Sequence, residues 1–86
     1  MDVDEELGRV LRSIRKQRQV SQETLALDAG ADRNYVSLIE LGKNSPSVRM
    51  LFRLCAAMDV EPSLVLSEVQ LRLAANASVP PIEEAP

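Results

Sequence analysis

The stretch that decides the fold is residues 21–47, SQETLALDAGADRNYVSLIELGKNSPS. It holds two short amphipathic segments that meet at a single glycine, Gly30. Ser21 suits the N-cap of the first, because its hydroxyl can accept one of the free amide hydrogens of the opening turn. Thr24 stands where a full capping box would place Glu or Gln. Leu25, Ala26 and Ala29 then share one side, and Gly30 ends the segment where a left-handed backbone costs little. Asp32 caps the second segment, with Val36 and Ile39 as its inner face and Gly42 as its stop. That leaves Arg33, Asn34 and Ser37 in a row facing outward. A helix so short is unstable alone, so Val36 and Ile39 must hold it against its neighbours.

Upstream, residues 4–19 carry Leu7, Val10, Leu11 and Ile14 at the i, i+3, i+4, i+7 spacing of one helical face. Arg9, Arg12, Lys16 and Arg18 take the other sides. Downstream of the polar loop Lys43, Asn44, Ser45 and Pro46, Ser47 caps a fourth helix with Val48, Leu51, Leu54, Cys55 and Met58 expected on its core side. Cys55 there is expected to behave as a small apolar group. Pro62 suits the first turn of a fifth helix, where its missing amide hydrogen is no loss. Leu64, Val65, Leu66, Val69, Leu71 and Leu73 cover more than one stripe of that helix, so part of it is expected to meet another chain, through Val65, Val69 and Leu73. Residues 76–86, NASVPPIEEAP, offer almost nothing to bury and are expected to be disordered. No strand pattern or internal repeat appears. The pattern predicts an all-α chain, a compact five-helix domain over residues 1–75 followed by a short tail over residues 76–86.

Composition narrows the function. A chain of 86 residues supports one small domain that buries only about 60% of its unfolded surface, which makes self-association a natural expectation. One cysteine and no histidine leave no internal disulfide, none of the usual zinc ligand sets and few nucleophile–base pairs. No phosphate-cradling glycine loop is present either. The expectation is therefore a chain that is not an enzyme, with no catalytic residues, no metal and no cofactor. The opening residues MDVDEELG are acidic and lack an apolar segment, and no run approaches the roughly 18 apolar residues of a membrane span. A cytoplasmic chain with no membrane partner is expected, and no small-molecule pocket is evident.

A helix, a glycine-containing turn and a second helix at a steep angle form the arrangement that lets the second helix enter a DNA major groove. In residues and spacing, SQETLALDAG followed by DRNYVSLIELGKNSPS resembles the phage-repressor and Cro (xenobiotic-response-element) type of helix-turn-helix domain. Gln22, Leu25, Ala26, Gly30, Val36, Ile39, Glu40, Gly42, Pro46 and Leu54 all fall at that family's spacing, and the likeness covers residues 7–66. DRNYVSLIE is also similar to the recognition helix of restriction-modification controller proteins, which are dimeric transcription regulators. The resemblance implies a lambda-repressor-like domain that regulates transcription by binding double-stranded DNA, with recognition helix 32–41 in the major groove.

Roles follow from that resemblance. Gln22 is expected to bond a backbone phosphate, favoured by the positive end of its helix. Arg33, Asn34 and Ser37 can reach base edges together, and the Arg33 fork matches guanine O6 and N7. Tyr35 either contacts the nucleic acid, by stacking or through thymine methyls, or covers the domain edge. Leu38 offers a thymine-methyl contact or plain packing. Lys43, Asn44, Ser45 and Arg49 are placed for phosphates, or are merely solvated. Arg15 and Glu40 form the pair that relatives use as a structural tie, the alternative being two exposed charges.

A net charge of −3 argues against a polyanionic partner, but charge acts locally. Residues 1–6 hold four acids and no base, and residues 59–86 five acids and one base, whereas residues 7–58 hold nine bases against four acids. The middle is basic and the ends are not. A homodimer would present two recognition helices about 34 Å apart and read a palindromic operator. The alternative is an antitoxin or adaptor that binds a partner protein through residues 76–86 while anchored to DNA.

Overall fold

The computed structural model describes residues 2–77, and they form five helices with no strand among them. These are α1 Val3–Gln17, α2 Gln22–Ala29, α3 Arg33–Glu40, α4 Val48–Ala57 and α5 Pro62–Ala77. Four of them start at side-chain caps: Asp2, Ser21, Asp32 and Ser47 each accept a first-turn amide. Ser21 Oγ also donates to Thr24 Oγ1 at 3.1 Å, so the threonine joins the cap where a glutamate would have completed a box.

Helix α1 packs against both α5 and α3, while α2 packs against α3 and α4. Leu11, Leu25, Val36, Ile39, Leu54, Cys55, Met58 and Val65 are the largest fully buried side chains and draw on all five helices. Full burial of one such side chain contributes about 1.5–3 kcal/mol, which is how Val36 and Ile39 hold the eight-residue α3. Burial pushes the Cys55 thiol above its ordinary pKa, since no water remains to solvate a thiolate.

Gly30 and Gly42 end α2 and α3 in left-handed conformations, with φ of 72° and 78°. Gly8 has a different task in mid-helix. A Cβ there would stand on the carbonyl oxygen of Ile39 and 2.6 Å from that of Glu40, so only glycine lets α1 pass the end of α3 so closely. Glu6 is buried beside it. Its Oε2 accepts from Arg9 Nη1 at 2.6 Å and from Asn76 Nδ2 at 3.0 Å, tying the last turn of α5 to the first turns of α1.

Three expectations change. Val48 is 73% exposed, because it starts α4 a turn before Leu51 and projects past the core edge. Residues 76 and 77, expected to open a disordered tail, are instead helical, since α5 continues through Asn76 and Ala77 with the Asn76–Glu6 contact as its anchor. The remainder of the expected tail, residues 78–86, lies outside the described residues. Finally, Val65 is fully buried and Val69 nearly so within the single chain, with half-buried Leu73 packed on the same cluster. Val65 and Val69 are committed to the chain's own core, while Leu73 keeps part of its surface open. The apolar surface that α5 leaves open is Leu64, Leu66 and Leu71.

Candidate nucleic-acid interface

Helix α3 divides its residues sharply between core and solvent. Val36 and Ile39 are buried, whereas Arg33 and Asn34 are exposed in its first turn and Ser37 is half-buried one turn on. Asp32 Oδ2 accepts the Asn34 amide at 3.1 Å, which fixes where the first turn begins and leaves the Asn34 carboxamide outside. Tyr35 is half-buried and packs against the core cluster. Leu38 is 37% exposed, at the margin between surface and core.

The carboxyl end of α3 is fastened by charge. Arg15 Nε donates to Glu40 Oε2 at 2.6 Å and Arg15 Nη2 to Glu40 Oε1 at 3.0 Å, a bidentate pair in which both side chains are at least nine-tenths buried. Arg15 Nη1 donates to the Val20 carbonyl at 2.9 Å, and Gln22 Nε2 donates to Glu40 Oε1 at 2.9 Å. One carboxylate thus joins the last turn of α1, the start of α2 and the end of α3. The Glu40 hydrogen bond holds the Arg15 guanidinium above its ordinary pKa despite burial, which acts the other way. Among the described residues, no buried side-chain nitrogen or oxygen lacks a partner. A buried pair satisfied in this way fixes geometry more than it adds stability.

Gln22, Arg33 and Arg12 line one concavity, and Gln22, Ser37 and Arg12 a second. The outward row of α3 and the amino end of α2 therefore make a continuous face. Lys43, Asn44 and Ser45 follow α3 in the turn after Gly42, with Asn44 half-buried, and Arg49 is exposed in the first turn of α4. They extend the surface beyond the carboxyl end of α3 and share neither concavity. Gly8 and Glu6, which set how closely α1 and α3 approach and where α5 ends, were not picked out in the sequence. A lone glycine inside a helical pattern was the available signal.

Such a face supplies a helix edge carrying a fork-shaped cation, an amide and a hydroxyl, groups with the donors and acceptors that base edges take. Comparison with known proteins agrees. The chain is 38% identical over 56 residues, 64% of its length, to the HTH-type transcriptional regulator SlrR of Bacillus subtilis, and spans 37% of that longer protein. It is 31% identical over 70 residues, 80% of its length, to the control protein C.MunI of Mycoplasma sp, spanning 95% of it. Its fold matches the restriction-modification controller protein C.AhdI of Aeromonas hydrophila with a TM-score of 0.70 and 38% identity, over 71% of this chain and 92% of that one. With residues 11–65 matching the helix-turn-helix pattern from within α1 to within α5, the chain belongs to the helix-turn-helix family of DNA-binding transcriptional regulators.

Proposed function

We propose that the chain is a sequence-specific regulator of transcription that binds a palindromic operator as a homodimer, each α3 lying in a major groove. The observation that carries this reading is the division of α3, whose buried side is locked by Ile39 and the Glu40 carboxylate while Arg33 and Asn34 stand exposed. Arg33 is assigned to a guanine edge, with Asn34 and Ser37 beside it. Gln22, Lys43, Asn44, Ser45 and Arg49 position the duplex through phosphates. The overlap with nearly the full length of two controller proteins favours a controller-type regulator. Leu64 and Leu71, seven positions apart on one side of α5, supply the surface for the second chain, and regulation follows from occupancy of a promoter. No helix among the described residues is long and apolar enough to cross a membrane, in keeping with a site of action on DNA in the cytoplasm. The experiment is selection of binding sites from random duplexes, then footprinting of the winners. A symmetric consensus with half-sites about one helical turn apart is expected. Failure to enrich any duplex at any salt concentration overturns the reading.

A further inference from the structure

Arg12 and Lys16 stand four residues apart on α1, both exposed. Neither they nor Arg33 take part in an ion pair among the described residues. All three border one concavity of about 550 Å³, together with Ser21 and Gln22 at the amino end of α2. Glu23 also lines it, leaving an excess of positive charge. Arg15 lies between Arg12 and Lys16 in sequence but is matched by Glu40 and the Val20 carbonyl, so its charge is already compensated. Arg12 further borders the neighbouring hollow beside Ser37 and Leu41. One side chain of α1 thus adjoins both the amino end of α2 and the outward face of α3.

An exposed lysine or arginine alone is an ordinary solvated charge. Three that converge on one hollow repel one another unless an anion joins them, and the chain's overall charge is of the opposite sign. The Ser21 cap takes the Thr24 amide, and the backbone oxygen of Ser21 takes that of Leu25. The earlier amides of α2 point out of its amino end, adding partial positive charge.

We infer that Arg12 and Lys16 form a clamp on α1 for a DNA backbone phosphate, holding the strand that runs past α2 while α3 occupies the adjacent groove. The inference rests on the proposed DNA-binding function and adds a helix to the interface. The clamp positions the duplex and carries no sequence preference, because phosphates are alike at every step.

The test is the R12Q/K16Q variant, followed by fluorescence anisotropy on the selected operator and on an unrelated duplex over a range of salt concentrations. Loss of the one phosphate contact that the two side chains share lowers the slope of log affinity against log salt by about one unit. Affinity should fall by the same factor on both duplexes, with the operator preference and the thermal melt unchanged. Arg53→Gln removes a charge of the same sign from the exposed side of α4 and should leave the slope nearly as it was. An unchanged slope in R12Q/K16Q, a loss confined to the operator, or an equal effect per charge from Arg53→Gln overturns the clamp. If the wild-type chain prefers no duplex, the function proposed above fails and the clamp with it. If wild type discriminates while the R12Q/K16Q slope is unchanged, the clamp alone fails.

Discussion

Gln22 and Glu40 are eighteen positions apart, and Gln22 Nε2 donates to Glu40 Oε1 at 2.9 Å. The residue that opens α2 and the residue that closes α3 therefore share the carboxylate that Arg15 grips. A phosphate contact by Gln22 would use the hydrogen that this bond leaves over, so the orientation of its amide is set before any duplex arrives. With Gln22 on a phosphate as proposed, recognition and folding are coupled at this point, since the carboxylate that fastens α3 also orients the Gln22 amide.

Glu40→Ala would leave the Arg15 guanidinium buried with only the Val20 carbonyl as partner. Breaking a buried pair from one side costs about 3–5 kcal/mol, a large part of the stability of a small domain. Replacing both partners with apolar groups avoids the stranded charge. Urea denaturation should accordingly find R15M/E40L far closer to wild type than Glu40→Ala. Equal losses in the two variants would mean that the cost is one of packing rather than of charge.

Gly8→Ala sets two effects against each other. Alanine favours a helix over glycine by about 1 kcal/mol. Its Cβ, however, would meet the backbone carbonyls of Ile39 and Glu40, which have no flexible end to move aside. Overpacking of that kind costs about 1–3 kcal/mol, so the clash outweighs the propensity and the thermal midpoint should fall. Because the obstructed groups belong to the end of α3, operator affinity should fall as well. A variant as stable as wild type, with unaltered binding, would show that α1 and α3 have slack between them.

Much of this fold was legible in residues 4–60, and for local reasons. Ser21, Asp32 and Ser47 cap within three residues of themselves, and Gly30 and Gly42 turn where they stand. These are short-range rules acting in sequence. The misreadings came where the answer depends on distant residues. A helix as apolar as α5 does not declare which stripe faces α1, so its sequence assigns Val65 and Val69 to a second chain, whereas both are buried within the single chain. Asn76 looked like the start of a tail because its partner, Glu6, lies seventy residues away. The outward row of Arg33, Asn34 and Ser37 was visible from helical spacing alone, whereas the convergence of Arg12 and Lys16 on the same face needed the packing of α1.

Arg33 and Lys43 are expected to fail differently when truncated. Arg33→Ala should weaken binding to the selected operator while leaving non-specific binding nearly intact, because a bidentate contact to guanine is worth about 1–3 kcal/mol of discrimination. Lys43→Ala should weaken every duplex and reduce the salt slope by about one unit. Titrations of both variants against both duplexes separate the roles. Equal loss on the two DNAs for Arg33→Ala contradicts a base contact, and an unchanged slope for Lys43→Ala removes the phosphate contact.

Leu71 and Val65 lie six positions apart on α5 with opposite surroundings, one 64% exposed and the other fully buried. A second chain can cover Leu71 and cannot reach Val65. Leu71→Glu places a charge on the open face without touching the core, so it should shift the sedimentation profile from dimer to monomer and lower the steepness of operator binding. The melt of the monomer should be preserved. Val65→Ala instead removes buried methyls from the core, at a cost of about 2 kcal/mol that is independent of protein concentration. Loss of association in Val65→Ala without loss of stability would place Val65 in the contact after all, and an intact dimer in Leu71→Glu would relocate the contact to another face, of which the exposed Val48 and Phe52 on α4 are the next to try.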